Sequence, residues 1–380
     1  MDLYYELRRY KAKLIKVLRT FTYYFEYLFW LIFSFSKFKK YPKIVKSILV
    51  INHGALGDIF CSLKTIYNLS LNNPKINLSY LVEEPFHQNF RFLEKLMKIK
   101  IITTKELSEK NFDLTIIFNS FQNLSKHRDN LGFCIGNEYS GAKGAFYSIR
   151  DLFINRKQKP LYRHKLKQEI EIVKLAGLKI GNTLKGFNKI NNEKVDSLLK
   201  KNKIKDFAII HPSGRNFADI LKQGKIPNLA WPFERFSEIA DYLAENYGYD
   251  VIISGSKEEK FIGDILINKC KNKKKVINFS GKLNIEELAS LVSRAKLVLS
   301  VDTATAHISE FFDVKTVTLF GPTFLEEVRP YGSKDKFISI CHPEKCIQDR
   351  RKGYCHGDRN ICMESISVAE VKKAINNLNI

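Results

Sequence analysis

The segment that most constrains this chain runs from Val298 to Thr323, VLSVDTATAHISEFFDVKTVTLFGPT. A β-branched, apolar run from Leu297 to Val301 breaks at Asp302-Thr303 and resumes as a helix-like stretch through Phe312. A second strand-like run, Thr316 to Phe320, ends in Gly321-Pro322-Thr323. Strand, polar turn, helix, strand and loop in that order make half of a parallel α/β unit, with polar residues at the strand's carboxyl end. A helix start there presents unpaired N–H groups and a positive dipole end, which suits a phosphate. Asp302, Thr303, Thr305 and His307 crowd this turn. Either threonine could cap the helix. His307, one turn in, is not needed for capping, so the cluster is read as a ligand site.

The same alternation recurs upstream. Ser47 to Asn52 has a buried-strand pattern, followed by the Gly-rich loop HGALGD and a helix from Ile59 to about Leu71. Further strands are expected at Asn77 to Val82, Ile99 to Thr103 and Asp113 to Phe118. A second region restarts with FAIIHPSG, Phe207 to Gly214, and continues through a basic, loop-like insertion from Arg215 to Ala230. Trp231-Pro232 then opens an amphipathic helix to about Asn246. Asp250 to Ser256 is the next strand, with Glu258 and Glu259 at its carboxyl end, and Ile285 to Ala295 has the 3.6-residue period of a helix. Two strand–helix regions of similar size predict two Rossmann-like domains facing a cleft. The expected division is 1–46, a basic aromatic segment; 47–200, the first domain; 201–364, the second; and 365–380, a terminal helix.

Charge and cysteine usage narrow the partners. A net charge of +23 over 380 residues points to anionic partners. Nucleic acid is disfavoured among them, because none of the usual binding motifs is present. Residues 1–46 hold eleven Lys/Arg against three acids around the aromatic core FTYYFEYLFWLIFSFSKF. That core is shorter than the about 20 apolar residues of a span and contains Glu26. A helix packed on the protein body and a true span remain open; an interfacial helix on an anionic bilayer is preferred. No cleavable leader is apparent, so a reducing, cytosolic setting is expected. Cys61, Cys134 and Cys270 read as buried small hydrophobes.

These motifs carry a resemblance. ILVINHGALGDIFCSL, IIHPSG followed by WPFERF, ISGSKEE and the VDTATAHISEFF…TLFGPT block, in this order, resemble glycosyltransferase family 9, the ADP-heptose:lipopolysaccharide heptosyltransferases, over roughly residues 47 to 380. The resemblance implies the GT-B fold and inverting, metal-independent sugar transfer from a nucleotide diphosphate, with no cofactor required for catalysis. It implies Asp58 as general base, where the bland alternative is a plain N-cap. Gly54 and Gly57 would leave that loop open to substrate. It implies donor diphosphate contacts at Ser213, Gly214, Asp302, Thr303, Ala304 and His307. Glu258 or Glu259 would meet the donor ribose or base, although either serves equally well as a solvated helix start.

Two positions depart from the family pattern: Ala304 stands where glycine is usual, and Leu229 where related chains have a phosphate-neutralising lysine. Arg215, Lys222 or Lys225 in the inserted loop are candidates to replace that charge. Near the end, Cys341, Cys346, Cys355 and Cys362 form C-x4-C-x8-C-x6-C. Free or partly buried thiols are the favoured reading and structural zinc the alternative, because the spacings are not those of a finger or ribbon. The expected activity is transfer of a sugar, heptose first among candidates, to an anionic glycolipid acceptor. Transfer of another sugar, nucleotide-sugar epimerisation and a non-catalytic envelope scaffold are the competing functions.

Overall fold

The computed structural model describes residues 41–84, 86–119, 127, 130–136, 164–214, 216–321, 323, 325–342 and 359–380. The expectations for residues 1–40, Arg215, Cys346 and Cys355 lie outside these residues. Among the described residues, no helix is long and apolar enough to cross a membrane.

From Ile44 onward the chain forms one compact unit containing two parallel sheets. The first comprises β1 (Ser47–Asn52), β2 (Asn77–Leu81), β3 (Lys100–Ile102), β4 (Leu114–Asn119) and β5 (Phe133–Gly136), in the order β3-β2-β1-β4-β5. The second comprises β6 (Phe207–His211), β7 (Asp250–Ile253), β8 (Val276–Asn278), β9 (Leu297–Val301), β10 (Thr316–Phe320) and β11 (Phe337–Cys341), in the order β11-β10-β9-β6-β7-β8. The central strands are near-continuous aliphatic runs because helices cover both faces. Ile48 through Ile51 and Leu297 through Leu299 are all fully buried. Strand order reverses at β1/β4 in one sheet and at β9/β6 in the other, and such reversals open crevices at the strands' carboxyl ends.

The principal helices are α1 (Leu56–Asn72), α2 (Lys165–Leu175), α3 (Glu193–Lys201), α4 (Phe217–Lys222), α5 (Phe233–Tyr247), α6 (Lys260–Lys269), α7 (Ile285–Arg294), α8 (Ala304–Phe311) and α9 (Val368–Asn377). The insertion expected to be a loop therefore contains a short helix, α4, because Phe217 and Ala218 bury themselves against the second core. Pro232 precedes α5 as its cap residue, and Trp231 is buried with its indole N–H donating to Ile366 O at 2.9 Å. The terminal helix α9 packs on α5 through Val371, Ala374 and Ile375.

Helices α1 and α8 pack against one another and join the two sheets. An apolar cluster passes from Ile48 and Leu63 on one side to Ile308 and Phe311 on the other. Phe187 stacks on Phe311 at 5.5 Å, its N–H donates to Phe311 O at 2.7 Å, and Tyr67 meets both rings edge-on. Beside this seam Lys64, only 4% exposed, reaches Asp313 at 2.6 Å.

Candidate active site

Asp58 is the third residue of α1, not its cap. Its Oδ2 accepts from Ala55 N at 3.0 Å, the reach-back half of a capping box. Its Oδ1 accepts from Lys165 Nζ at 2.8 Å. Burial pushes the Asp58 carboxyl up, but the Lys165 charge and hydrogen bond, the Ala55 N–H and His307 outweigh it and leave the acid below its usual range. Asn52 steadies the same turn from β1, donating through Nδ2 to Asp58 O and to Ser62 Oγ at 2.6 Å each.

The turn after β9 lies directly opposite. A methyl group placed on Gly57 would sit 3.6 Å from His307 Cδ2 and 3.7 Å from Ala304 N, so the two helix starts face each other at van der Waals range. Thr303 occupies the cap position of α8 but makes no capping bond. Its hydroxyl pairs instead with Ser300 Oγ at 2.9 Å, and the first turn of α8 keeps its N–H groups uncapped by any side chain. Capping, the bland alternative for this cluster, is therefore not the use that Thr303 makes of its side chain. The Asp302 carboxyl is raised by burial, opposed by His307 and by a hydrogen bond from Thr323. His307 is lowered by burial and raised more by Glu310 and Asp302, so it leans towards the imidazolium. Its Nδ1 lies 3.1 Å from Glu310 Oε2, while Glu310 Oε1 is buried without a partner.

The loop after β6 completes this corner. Ser213 is fully buried and its Oγ has no partner. A methyl group on Gly214 would contact Thr303 Cγ2 at 3.4 Å and Leu229 Cδ1 at 3.1 Å, which puts Gly214 beside the α8 start. Leu229 also flanks Gly321, so an aliphatic side chain fills the space between these two loops. Gly54, Gly57, Asp58, Ser213, Gly214, Asp302, Thr303, Ala304 and His307 are thereby brought to the facing loops of the two sheets.

Other expected residues stand elsewhere. Lys222 and Lys225 are exposed and contact their own neighbours, Asp219 and Gln223. Glu259 turns its Oε2 to Ser256 N at 2.7 Å at the start of α6, and Glu258 is exposed. Cys341 Sγ donates to Gly321 O at 3.5 Å and Cys362 Sγ to Asn360 Oδ1 at 3.2 Å.

The sequence reading missed a buried polar seam between α1 and α2. Leu166, Ile170 and Val173 make the apolar stripe of α2, yet Glu169 lies on the same side, only 1% exposed. It accepts from Ser62 Oγ and, at 2.7 Å, from Thr65 Oγ1. A carboxylate on an apolar helical stripe is the signal that could have exposed this seam. Burial lowers Lys165, but Cys61, Asp58 and Glu169 around its ammonium outweigh that and raise it. Cys61, His307 and Glu310 also place one ligand atom each within 4.8 Å of one another. Burial holds the Cys61 thiol well above its usual range despite nearby Lys165.

The model for glycosyltransferase family 9 (heptosyltransferase) matches residues 103–355. Lipooligosaccharide heptosyltransferase 2 of Haemophilus influenzae is 24% identical over 120 residues, covering 31% of this chain and 34% of the relative. The chain spans about a third to about a half of the curated relatives it matches first. Among solved structures, a glycosyl transferase family 9 protein from Veillonella parvula superposes with a TM-score of 0.67 at 18% identity, covering 89% of this chain and 99% of that one. The E. coli ADP-heptose lps heptosyltransferase II superposes with a TM-score of 0.61 at 15% identity, covering 87% and 98%. At such identities the likeness shows the fold, which is GT-B.

Proposed function

The chain belongs to glycosyltransferase family 9, and from that premise we propose that it is an inverting, metal-independent transferase moving heptose from ADP-heptose to a lipopolysaccharide core or related glycolipid. One observation carries this reading: the Gly57-Asp58 turn packs against Ala304 and His307. A carboxylate suited to a base thus adjoins a helix start suited to a diphosphate. The acceptor hydroxyl attacks the anomeric carbon opposite the diphosphate and gives its proton to Asp58. The anomeric C–O bond to the diphosphate breaks, and its electron pair leaves on the phosphate oxygen. The N–H groups of Ala304 and Thr305, the Ser213 hydroxyl and the His307 imidazolium are the groups that meet that developing charge. Gly214 lets the donor approach the backbone.

The setting follows from charge. A chain of net +23 with a basic, aromatic residue 1–46 segment suits a cytoplasmic protein held peripherally at an anionic inner-membrane surface. Cosedimentation with anionic but not neutral vesicles, lost on deleting residues 1–40, tests it.

The central experiment incubates the full chain with ADP-heptose and a truncated lipopolysaccharide acceptor and follows transfer by mass spectrometry. Asp58→Asn is expected to reduce turnover by roughly 10²–10⁴-fold with donor-induced stabilisation retained. Equal turnover in the variant refutes the base assignment. Stabilisation by a different nucleotide sugar reassigns the donor, donor isomerisation without acceptor indicates an epimerase, and no nucleotide-dependent stabilisation favours a scaffold.

A further inference from the structure

Outside the facing loops, one cation reaches into this corner from an element the sequence reading left unassigned. Lys165 is the first residue of α2, and its Nζ lies 2.8 Å from Asp58 Oδ1 across a sequence separation of 107. We propose that Lys165 is a positioning residue for Asp58, its ammonium holding one carboxylate oxygen while the Ala55 N–H holds the other. The inference rests on Asp58 being the base of the reaction proposed above.

Three features separate this contact from an ordinary surface ion pair. The Lys165 side chain is 21% exposed, so it is a largely desolvated cation. Second, the start of α2 is pinned at both ends of its first turn. His164 accepts from Leu166 N at Nδ1, so its other nitrogen carries the proton and donates to Arg329 O at 2.6 Å, tying α2 to the second sheet's side. One turn on, Glu169 binds Ser62 and Thr65 of α1. The Lys165 backbone therefore has a fixed place relative to both Asp58 and the β9–α8 turn. Third, a carboxylate held at both oxygens has one orientation, leaving its remaining lone pairs for a substrate hydroxyl.

Among the described residues, the charged and titratable groups around the pair are Cys61 on α1, Tyr80 on β2, Glu169 on α2, and Asp302, His307 and Glu310 around α8. Lys165 and His307 stabilise the Asp58 anion, and Asp302 opposes it. Removing Lys165 subtracts its largest favourable partner. Asp58 should then titrate higher, and the acidic limb of kcat/KM should move up with it. Because the Asp58 side chain is 43% exposed, the shift expected is about 0.5–1 pH unit, well short of a fully buried pair.

The test compares wild type, Lys165→Gln, Lys165→Arg and Asp58→Asn, each with its melting temperature. Lys165→Gln should move the acidic limb up by about 0.5–1 unit and lower the plateau about tenfold or more, with Lys165→Arg restoring most of both. An unmoved limb in Lys165→Gln, with Asp58→Asn inactive, overturns the proposal and leaves the base assignment standing. Full activity in Asp58→Asn overturns both. A substrate-free arm covers folding defects and an incorrect donor: carboxyl-¹³C aspartate labelling of wild type, with the Asp58 resonance identified by its absence in Asp58→Asn. That resonance should titrate below the ordinary aspartate range; titration within or above that range also overturns the proposal.

Discussion

Gly54→Ala should damage turnover far more than it damages the fold, and Gly57→Ala should do less of either. A β-carbon built at Gly54 falls 2.5 Å from Asp58 Oδ2 and 2.6 Å from Asp58 Cβ. The first contact could be relieved by rotating the carboxylate, but Asp58 Cβ is fixed to the first turn of α1 and cannot swing away. The Ala55–Asp58 hydrogen bond must stretch, and the carboxylate must turn from its place beside Lys165. Overpacking of this kind costs about 1–3 kcal/mol in stability. Gly54 has no left-handed φ, so alanine recovers part of that cost, about 0.4–1 kcal/mol, by restricting the unfolded chain. A melting-temperature loss of a few degrees is therefore expected.

The effect on catalysis is larger, because a displacement of about 1 Å at a reacting group is worth roughly 10²-fold. At Gly57 the added carbon lies 3.6–3.7 Å from His307 and Ala304, ordinary contact distances, so the fold should tolerate it. Its cost should appear chiefly in donor affinity, since the methyl group narrows the gap between the two helix starts. Steady-state transfer assays with thermal melts of both variants make the comparison. Wild-type kcat in a folded Gly54→Ala protein would refute the placement of Asp58 at the reacting centre.

Two further expectations concern stability. His307 has a raised pKa in the folded state, so its contribution is fully present below the unfolded value of about 6.5 and is lost as pH rises through the folded value. Melting temperature in wild type should accordingly fall as pH rises above about 6.5, and His307→Gln should flatten that decline; an unchanged slope would dismiss the His307–Glu310 pair as its source. His164 and His211 are shifted down by burial and act on the other side of that pH, so they do not mask the effect. At the seam between the sheets, Asp313→Asn should cost about 3–5 kcal/mol by stranding the buried Lys64 ammonium. Lys64→Met should cost less than that, because Asp313 is 28% exposed and keeps Gly186 N–H at 3.0 Å and Lys336 at 3.5 Å. Asparagine tolerates the left-handed φ of 54° at position 313, so the comparison in urea melts is not confounded by the backbone; the reverse ranking would refute the account.

Much of the architecture was legible because buried parallel strands write themselves as aliphatic runs. β1, β2, β3, β4, β6, β7, β9 and β10 each coincide with a run read from the residues, to within three residues at either end. The strands left unread were β5, β8 and β11, at four, three and five residues and all at or next to a sheet edge, where burial on one side leaves a weak pattern. Helix α4 was hidden by its basic surroundings, and α2 by the lack of flanking elements to frame it. Thr303 does not cap α8 through its side chain, because Ser300, three residues earlier at the end of β9, is its hydroxyl's partner.

From the residues alone came two successive α/β regions, the Gly-rich turn at Asp58 and the polar turn at Asp302–His307, because strand and helix periodicities and turn chemistry are local properties. Packing alone decided that these turns face one another and that Lys165 closes on Asp58. Lys165 and Asp58 stand 107 residues apart, and no local pattern couples positions that distant. Only the docking of α2 on α1, fixed by the buried Glu169 and the His164 bond to Arg329, brings that ammonium to that carboxylate.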